Sequence, residues 1–492
     1  MSLISISNLT FCYEGSYDMI FENVSFQIDT DWKLGFTGRN GRGKTTFLNL
    51  LLGKYEYSGT IASSVSFDYF PFEVADKTQN TVDVVHNICD DFQTWELSRE
   101  LSLLEVTDDV LDRPFETLSN GEQTKILLAA LFLKSNHFLL IDEPTNHLDM
   151  NARGIVGNYL KSKKGFILVS HDRAFLDRCI DHILSINKTN IEVQKGNFSS
   201  WWHNKQMQDN FEAAENEKLK NQINQFTAAA KRTAAWSDSV EKTKRGTLNS
   251  GIKPDKGYIG HKAAKMMKRS KAIDSRRQTA IEEKSKLLKN IESAESLSIQ
   301  PIEYCKDRLI EVKDLSIYYG DRQVCENVSF TVNRGERIAL SGKNGCGKTS
   351  LLKLLTGEQI TFRGNLNTGK NLIISYLPQD PSFLAGNLKD FAASSGIDES
   401  LFKAILRKLD FSRVQFEKDM RDFSGGQKKK VLLAKSLCKR AHLYIWDEPL
   451  NFIDVLSRMQ IEDFLLKYQP TMLFVEHDRS FVDLVATKHV NL

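Results

Sequence analysis

The chain has 492 residues, of which 41% are hydrophobic and 26% are charged, and its formal net charge is +3. This composition is ordinary for a globular protein, and the length predicts roughly three structural units. No stretch approaches about 18 consecutive apolar residues and no basic segment followed by an apolar run opens the chain, so we expect a cytoplasmic protein without a membrane span, a secretory signal or a membrane partner.

The first predicted element with recognisable chemistry is a strand, loop and helix near the N-terminus. The apolar run Leu34–Thr37 leads into the glycine-rich sequence GRNGRGKTT, and the helix-forming residues Phe47–Leu52 follow it. A GxxxxGK[ST] pattern between a strand and a helix is typical of a phosphate loop, whose backbone N–H groups cradle the phosphates of a nucleotide. Lys44 would then reach the β- and γ-phosphates, and the hydroxyl of Thr45 would ligate Mg²⁺. A chance glycine-rich turn is the alternative interpretation of a single match.

Two later segments of the same region predict buried strands that end in polar residues. Phe138–Ile141 is followed directly by Asp142 and Glu143, and Phe166–Val169 leads into His171 within an HDR triplet. Near-continuous apolar strands are typical of a sheet that is covered on both faces. At such strand ends, Asp142 can hold Mg²⁺ or its water shell, Glu143 can polarise an attacking water, and His171 can contact the γ-phosphate.

A polar connector of roughly 100 residues follows the tryptophan pair at 201–202. It is helix-prone through Phe211–Lys218, breaks in the glycine- and proline-containing segment Thr247–Gly260, and returns to a helical pattern from about His261 to Ala294. Helix, turn and helix predict an antiparallel hairpin. Arms of roughly 30 residues would project about 45 Å.

The predicted tip of this hairpin is strongly basic. Between residues 230 and 271 there are 12 Lys or Arg residues against 3 Asp or Glu residues, with Trp236 and Tyr258 among them. Cations suit the phosphates of RNA, and flat rings suit stacking on its bases. The alternative interpretation is a solvated hairpin whose charges provide solubility. The candidate RNA-binding residues are Lys242, Lys244, Arg245, Lys253, Lys256 and Tyr258.

The motifs of the N-terminal region recur in the same order near the C-terminus. GRNGRGKTT returns as GKNGCGKTS, LSNGEQTK as FSGGQKKK, FLLIDEPTNHLD as LYIWDEPLNFID, and LVSHDRAFLD as FVEHDRSFVD. Corresponding residues lie 304 to 306 positions apart in the pairs Lys44 and Lys348, Glu143 and Glu448, and His171 and His477. Ordered blocks at a nearly constant offset indicate an internal duplication, which argues against a chance origin of either phosphate loop.

The order of phosphate loop, LSNGEQ or FSGGQ, DEP and HDR resembles the ATP-binding-cassette superfamily, and the resemblance covers both copies in full. It implies an α/β fold with two ATP-binding-cassette nucleotide-binding domains in tandem, joined by a long α-helical hairpin linker. We place the two cassettes at residues 1–202 and 304–492 and the linker at residues 203–303. The resemblance also implies ATPase activity with ATP and Mg²⁺, and a monomer whose two cassettes pair head to tail. ATP binding would close this pair, and hydrolysis would reopen it.

In such a pairing each nucleotide lies between the phosphate loop of one cassette and the signature sequence of the other. Site 1 is expected to contain Gly38, Arg39, Asn40, Gly41, Arg42, Gly43, Lys44, Thr45 and Thr46 with Ser424, Gly425, Gly426 and Gln427. Site 2 is expected to contain Gly342, Lys343, Asn344, Gly345, Cys346, Gly347, Lys348, Thr349 and Ser350 with Ser119, Asn120, Gly121 and Glu122. By the same resemblance Tyr13 and Tyr319 match the residue that stacks on adenine, and Asp149 and Asp454 match the loop that joins the sites.

The resemblance also assigns residues to the metal and to the attacking water. The expected ligands of Mg²⁺ or its water shell are Thr45 and Asp142 in the first cassette and Thr349, Gln379 and Asp447 in the second. The expected catalytic residues are Glu143, Glu448, His171 and His477. The cassettes differ at one position, because SYLPQDP offers Gln379 whereas DYFPFEV has Phe72 in that place. We therefore predict that Glu143 and Glu448 contribute unequally to turnover.

Twin cassettes joined by a basic helical hairpin are similar to the ABC-F translation factors. In that family the hairpin enters the exit-tRNA site of the 70S ribosome and points toward the peptidyl-transferase centre, which implies contacts with 23S rRNA and P-site tRNA. Three features look like the antibiotic-resistance branch, and most like the Lsa/Vga group: no added arm in the first cassette, a long break in the hairpin, and DEPLNFID in the second cassette. That group protects ribosomes from lincosamides, pleuromutilins and group A streptogramins.

Three functions are compatible with this resemblance. The first is ATP-dependent ribosomal protection, in which the protein dislodges a drug and hydrolyses ATP for its own release. The second is a housekeeping ABC-F translation factor without a resistance role. The third is a soluble ATPase subunit of a drug efflux pump. Rescue of translation in vitro across a drug panel would separate the first function from the other two.

Overall fold

The computed structural model describes residues 2–13, 19–146, 148–186, 191–242 and 301–492, together with separate positions between 257 and 279. The chain divides into two compact units, one formed by Met1–Ser199 with Ala294–Leu492 and the other by Ser200–Ser293. The first unit contains both copies of the repeated sequence, and the second contains most of the connector. The domain boundaries after residues 202 and 303 stay predictions.

The first cassette contains two sheets. Its strands are β1 Leu3–Cys12, β2 Met19–Asp29, β3 Lys33–Thr37, β4 Ser58–Ala62, β5 Ser66–Phe70, β6 His137–Asp142, β7 Phe166–Val169, β8 His182–Ile186 and β9 Ile191–Lys195. Three of them form an antiparallel sheet in the order β2-β1-β4, and the other six form a sheet in the order β5-β6-β7-β3-β8-β9. The six-stranded sheet is parallel except for the pair β8–β9.

Within the described residues, the first cassette has six α-helices, and the sequence explains why the two beside the predicted nucleotide sites begin where they do. The helices are α1 Lys44–Leu51, α2 Thr81–Ile88, α3 Thr94–Leu103, α4 Asn120–Leu133, α5 Met150–Ser162 and α6 Arg173–Cys179. Helix α1 follows Gly43, whose φ of 91° is in the left-handed region that favours glycine. Helix α4 follows Ser119, which accepts a hydrogen bond from the Glu122 backbone N–H while the Glu122 carboxylate accepts one from the Ser119 N–H. This reciprocal capping box explains why the signature sequence starts a helix.

The second cassette repeats this architecture. Its strands are β10 Arg308–Tyr319, β11 Arg322–Asn333, β12 Arg337–Ser341, β13 Thr361–Thr368, β14 Ile374–Leu377, β15 Leu443–Asp447, β16 Met472–Val475 and β17 Lys488–Asn491. The connector helix α7, Phe198–Lys242, precedes this cassette in the chain. The helices of the cassette are α8 Lys348–Leu355, α9 Leu388–Ser394, α10 Glu399–Lys408, α11 Gly425–Cys438, α12 Val455–Tyr468 and α13 Arg479–Val485. The antiparallel sheet has the order β11-β10-β13, and the parallel sheet has the order β14-β15-β16-β12-β17.

The order β14-β15-β16-β12-β17 reproduces β5-β6-β7-β3-β8 strand for strand, so the duplication seen in the sequence is a duplication of the fold. The structure confirms the predicted α/β fold with two cassettes in tandem. In each parallel sheet the phosphate-loop strand lies beside the strand that precedes the HDR triplet. Because parallel strands end at the same edge, the phosphate loop, the acidic strand end and the histidine converge there.

The central strands are buried on both faces, as their apolar runs predict. In β15, Leu443 and Ile445 pack in one core cluster with α8 and the antiparallel sheet. The alternate residues Tyr444 and Trp446 pack in another cluster with α11 and α12. Side chains alternate across a strand, so β15 contributes to both cores and its end is held firmly.

The connector begins with helix α7, Phe198–Lys242, which is 45 residues long. It exceeds the arm of roughly 30 residues predicted from the sequence, and it starts at the buried Phe198 in the first cassette. Lys242 is its last residue. The side chain of Lys242 lies outside the described residues, as do Lys244, Arg245, Lys253, Lys256 and Tyr258, so the RNA-binding candidates stay predictions. Within the described parts of the chain, every helix is too short or too polar to cross a membrane.

Candidate nucleotide-binding sites

Both phosphate loops hold their lysine in the same position. In the first cassette the Lys44 Nζ donates hydrogen bonds to the carbonyl oxygens of Gly38 and of the next residue, at 2.7 and 3.2 Å. In the second cassette the Lys348 Nζ donates to the carbonyl oxygens of Gly342 and of the next residue, at 2.8 and 2.9 Å. Each lysine is also the first residue of a helix. Backbone N–H groups and an ammonium group therefore lie together, which is the arrangement that binds phosphate.

Aspartates end strands β6 and β15 beside the phosphate loops. In the first cassette the Oδ2 of Asp142 accepts hydrogen bonds from the hydroxyls of Thr45, at 3.3 Å, and Tyr69, at 2.9 Å. In the second cassette neither carboxylate oxygen of the buried Asp447 has a hydrogen-bond partner within the described residues. Burial raises the pKa of Asp142, and it raises the pKa of Asp447 to about 6, because a carboxylate removed from water is poorly solvated.

The donor set of the second cassette fits Mg²⁺. This ion prefers oxygen ligands and is usually bound by one or two carboxylates together with substrate phosphates and water. Asp447 offers two unsatisfied oxygens, and the hydroxyl of Thr349 is close enough to lower the pKa of that carboxyl group against the effect of burial. The described residues contain no group of three or more His, Cys, Asp or Glu side chains suited to a metal. The ion would therefore depend on the bound nucleotide to complete its coordination.

The glutamates that follow these aspartates have similar positions but different protonation. Glu143 Oε1 lies 3.4 Å from His171 Nε2, and Glu448 Oε1 lies 3.5 Å from His477 Nε2. Burial, together with the charge of Asp142, raises the pKa of Glu143 to about 8. Burial would also raise the pKa of Glu448, but its hydrogen bond to His477 and other interactions lower it to about 2. At neutral pH the structure favours a protonated glutamate in the first cassette and a carboxylate in the second.

Site 1 is closed by direct contacts between the cassettes. The Asn40 Nδ2 donates a hydrogen bond to the Phe452 carbonyl oxygen at 2.9 Å, and the Arg39 Nη1 lies 3.2 Å from Asp410 Oδ1. The signature residue Gly426 has little space around it. A Cβ there would be 2.4 Å from the Phe452 carbonyl oxygen of its own cassette and 3.1 Å from the Asn40 Nδ2 of the first cassette. The structure thus places the phosphate loop of the first cassette against the signature sequence of the second.

Charged side chains of the second cassette lie around Lys44. The buried Asp454 accepts a hydrogen bond from the Lys430 Nζ at 2.8 Å, and this ammonium group holds the pKa of Asp454 well below its usual range although burial opposes it. Burial lowers the pKa of Lys44, and Asp454 is the carboxylate that opposes this effect most strongly. A further ion pair joins Arg173 to Glu462 across the interface. The buried charged groups at site 1 therefore each lie close to a group of opposite charge.

Site 2 is an open cavity of about 890 Å³ between the same two cassettes. This volume lies within the range of small-molecule sites. The predicted residues that line it are Lys343, Asn344, Gly345, Gly347, Lys348, Thr349, Ser350, Gln379, Glu448 and His477 from the second cassette, and Ser119, Asn120, Gly121, Glu122 and Asp149 from the first. The phosphate loop of one cassette and the signature sequence of the other thus face a common space.

The two tyrosines predicted to stack on adenine lie beside the phosphate-loop helices. Tyr13 is 41% exposed and its hydroxyl oxygen is 2.7 Å from Thr46 Oγ1, while Tyr319 is 50% exposed and its hydroxyl donates to Ser350 Oγ at 3.3 Å. In the first cassette the ring of Tyr55 lies 5.7 Å from that of Tyr13, centroid to centroid. Each predicted tyrosine is therefore tied to the start of its helix, with much of its ring accessible.

Sequence reasoning missed several charged residues of these sites. Lys125 and Arg153 of the first cassette line site 2, and Asp410 pairs with Arg39 in site 1. Lys125 corresponds to Lys430, because both are the last residue of the repeated blocks LSNGEQTK and FSGGQKKK. A basic residue at the same place in both copies was the available signal. Asp410 lies in neither motif, and only the folded structure brings it to Arg39.

Comparison with known proteins gives one family match and several relatives. The chain matches the family model described as "ABC transporter" over residues 21–146 and 325–451, which together make up about half of its length. It is 28% identical to the ribosome protection protein VmlR of Bacillus subtilis, over 98% of this chain and 85% of that protein. It is 27% identical to the ATP-binding protein Uup of Caulobacter vibrioides, over 96% of this chain and 74% of that protein.

Among solved structures, the chain is similar to that of the archaeal ribosome recycling factor aABCE1 in complex with the ribosomal stalk protein aP1. The TM-score is 0.63 at 20% sequence identity, over 98% of this chain and 87% of that chain. A similar protein described as an RNase-L inhibitor has a TM-score of 0.61, also at 20% identity, over 98% of this chain and 86% of that one. At this identity the likeness concerns the fold alone, and the shared fold is that of paired cassettes.

Each of the two matched ranges contains a phosphate loop and the acidic strand end that follows it. The structure pairs each loop with the signature sequence of the other cassette. These are the parts from which a composite site for ATP hydrolysis is built. The chain therefore belongs to the ABC transporter family, as an ATPase with two tandem cassettes.

Proposed function

We propose that the protein is an ATP-dependent ribosomal protection protein of the antibiotic-resistance branch, close to the Lsa/Vga group. It binds the exit-tRNA site of the 70S ribosome, dislodges lincosamides, pleuromutilins or streptogramin A from the peptidyl-transferase centre, and hydrolyses ATP for its release. The observation that carries this proposal is the similarity to the ribosome protection protein VmlR over 98% of the chain, because this coverage includes the connector as well as both cassettes.

The connector is the part proposed to reach the drug site. Helix α7 ends at Lys242, inside the segment 230–271 that contains 12 Lys or Arg residues and 3 Asp or Glu residues. The proposed partners are 23S rRNA and P-site tRNA, because cations bind phosphates and aromatic rings stack on unpaired bases. The proposed contact residues are Lys242, Lys244, Arg245, Lys253, Lys256 and Tyr258. The protein then acts in the cytoplasm as a ribosome-associated monomer, without a membrane partner.

The open site 2 supports a specific division of labour during ATP hydrolysis. Lys348 and the N–H groups of its loop bind the β- and γ-phosphates, and Ser119 with Gly121 closes on them from the other cassette. The Glu448 carboxylate orients the attacking water, and His477, 3.5 Å from that carboxylate, contacts the γ-phosphate. Thr349, Asp447 and Gln379 would hold Mg²⁺, which would supply positive charge to the phosphates.

Site 1 uses the corresponding residues after its present contacts are released. Lys44 is buried, and Asn40 and Arg39 of the same phosphate loop contact the second cassette. A nucleotide that enters between the phosphate loop and Ser424–Gln427 replaces these protein contacts with contacts to its phosphates. Glu143 and His171 are then the residues proposed to act on the γ-phosphate.

The experiment uses the variant Glu143→Gln/Glu448→Gln, which is designed to bind ATP without hydrolysing it. With ATP present, the variant should sediment with 70S ribosomes. The control Lys44→Ala/Lys348→Ala, which loses both phosphate-loop lysines, should stay in the supernatant. Wild-type protein should also rescue translation in vitro from lincosamides, pleuromutilins or streptogramin A. Sedimentation of the glutamine variant free of ribosomes would refute the proposal.

A second candidate is a translation factor without a resistance role. The 27% identity to the ATP-binding protein Uup over 96% of this chain supports a second candidate, because it shows a similar chain that is not described as a protection protein. In that case deletion of the gene would alter growth while drug susceptibility and drug-inhibited translation in vitro stayed unchanged. Reduced drug accumulation in cells, with no rescue of cell-free translation, would instead indicate an ATPase that energises efflux.

A further inference from the structure

A buried lysine connects the signature helix of the second cassette to the chemical groups of site 2. Lys429 lies in α11, five residues after the signature residue Ser424, and is 1% exposed. Its Nζ donates hydrogen bonds to the carbonyl oxygens of Pro378 at 2.9 Å, Gln379 at 2.9 Å and Asp447 at 3.2 Å. A lysine ammonium group has three donors, and these three bonds use all of them.

The three carbonyl groups belong to the ends of two neighbouring strands. Pro378 and Gln379 follow β14, Asp447 ends β15, and the two strands pair in parallel. Gln379 and Glu448, the residue after Asp447, both line site 2. The ammonium group therefore fixes the spacing between the loop that carries the glutamine and the strand end that carries the catalytic glutamate.

Acidic side chains compensate the buried charge of Lys429. The carboxylates nearest to it electrostatically are those of Asp447 and Glu476, followed by the glutamate of site 2. Glu476 is 5% exposed and accepts hydrogen bonds from the backbone N–H groups of Leu450 and His477, each at 2.8 Å. A buried ammonium group requires such partners. We call Lys429, Glu476, Gln379 and Asp447 the Lys429 cluster.

The first cassette has a different arrangement at the corresponding positions. Thr124, Ser170 and Phe72 stand where the second cassette has the lysine, the glutamate and the glutamine of the cluster. The hydroxyl of Thr124 donates within its own helix, to the Asn120 carbonyl oxygen at 2.9 Å. The Lys429 cluster is therefore specific to site 2 and is not required by the cassette fold.

The N-terminus of the same helix belongs to site 1. Gly426, three residues before Lys429, is packed against the Asn40 side chain of the first cassette. Three residues, a rise of about 4.5 Å and slightly less than one helical turn, separate the two contacts, so a shift of this part of the helix moves both. We propose that Lys429 is a positioning residue that transmits the closure of site 1, through α11, to Gln379 and Glu448 in site 2. Closure of one site thereby sets the geometry for hydrolysis in the other.

The first test measures turnover at site 2 in the full chain carrying Glu143→Gln. Lys429→Met keeps the length of the side chain and removes its donors, so kcat for ATP should fall about tenfold or more through misplacement of the catalytic groups. The KM should change less than about twofold, because the phosphate loop is untouched. Lys435→Met is the matched control, since Lys435 lies in the last turn of the same helix, over the Phe391 ring. It should leave kcat unchanged, and Lys429→Arg should recover part of the loss.

The second test measures transmission with a double-mutant cycle. Lys44→Ala weakens nucleotide binding at site 1, and while Lys429 is present it should lower kcat at site 2 about fivefold. When Lys44→Ala is added to Lys429→Met, kcat at site 2 should fall less than about twofold further. Multiplicative losses would refute the transmission, and an unchanged kcat with a lowered melting temperature would reduce Lys429 to a structural role. If Lys429→Met does not fold, Lys429→Gln takes its place in both tests, with the same outcomes for and against.

Discussion

Gly426→Ala tests the closure of site 1, and Gly425→Ala is its control in the same signature sequence. A Cβ on Gly426 would lie 2.4 Å from the carbonyl oxygen of Phe452, and this backbone atom cannot rotate away as a flexible side chain can. A Cβ on Gly425 would meet only the Phe452 ring, at 3.6 and 3.7 Å, which is ordinary van der Waals contact. Gly426 and Phe452 belong to the same cassette, so the clash displaces the Phe452 carbonyl, which is the acceptor of the Asn40 hydrogen bond across site 1. The first substitution should therefore open site 1, and the second should leave it closed.

The free energy of the contacts that hold site 1 closed sets the size of the expected effect. Opening breaks the hydrogen bond from Asn40 to Phe452, worth about 0.5–1.5 kcal/mol, and the ion pair between Arg39 and Asp410, worth about 0.2–1 kcal/mol. The Asp410 side chain is 33% exposed, which keeps the ion pair in the range of surface pairs. The sum of about 0.7–2.5 kcal/mol corresponds to a roughly 3- to 70-fold increase in the population with site 1 open.

Hydrogen exchange of the nucleotide-free protein measures this population. Peptides that cover residues 38–44 and 450–454 should lose protection by that factor in Gly426→Ala and should match the wild type in Gly425→Ala. Gly121→Ala in site 2 is a second control, because a Cβ there would meet only Leu148 Cδ2 at 3.7 Å. Unchanged protection in Gly426→Ala, or an equal loss in Gly425→Ala, would refute the steric argument.

Three further substitutions have defined outcomes. Glu448→Gln should reduce steady-state phosphate release more than Glu143→Gln. The reason is that the Glu448 pKa of about 2 leaves a carboxylate at pH 7, whereas the Glu143 pKa of about 8 favours a neutral group. Equal losses in the two variants would contradict this prediction. Asp447→Asn should raise the Mg²⁺ concentration for half-maximal turnover about tenfold or more, measured at fixed ATP, and an unchanged requirement would exclude Asp447 from the metal site. Glu100→Gln should lower the free energy of unfolding at pH 7 by about 1–3 kcal/mol, because Glu100 is 2% exposed and pairs with Lys163. Burial opposes ionisation, but hydrogen bonds lower the pKa of Glu100 below its usual 4.5. The stabilisation is therefore complete above about pH 5 and is lost as the pH falls through the folded-state pKa. Urea unfolding of Glu100→Gln and the wild type should show a difference at pH 7 that disappears in acid.

The parts of the sites that lie in short continuous motifs were predictable from the sequence. The phosphate loop needs glycines at fixed intervals before Lys44, and its position between a strand and a helix follows from the same few residues. The strand ends at Asp142 and Asp447 were predictable because an apolar run that stops at a carboxylate is visible in the sequence. Each copy supported the interpretation of the motifs in the other, because the same fold had to account for both sequences.

The state of each site could not be predicted, because it depends on residues distant in sequence. Arg39 and Asp410 are 371 positions apart, and nothing in the local sequence of either indicates the ion pair that closes site 1. The two glutamates have the same neighbours in sequence, yet their pKa values differ because burial and partners differ in the folded protein. Lys429 was overlooked for another reason: two of the three consecutive lysines are buried, and only their partners in the folded protein distinguish Lys429, which binds three carbonyl groups.

Phe452 contributes to both nucleotide sites. Its φ of 63° turns the chain sharply, so that its carbonyl oxygen accepts the Asn40 amide in site 1 while the residue also forms part of the wall of site 2. One residue is thus shared by both chambers. A movement that withdraws its carbonyl from Asn40 also shifts a residue in the wall of the opposite cavity.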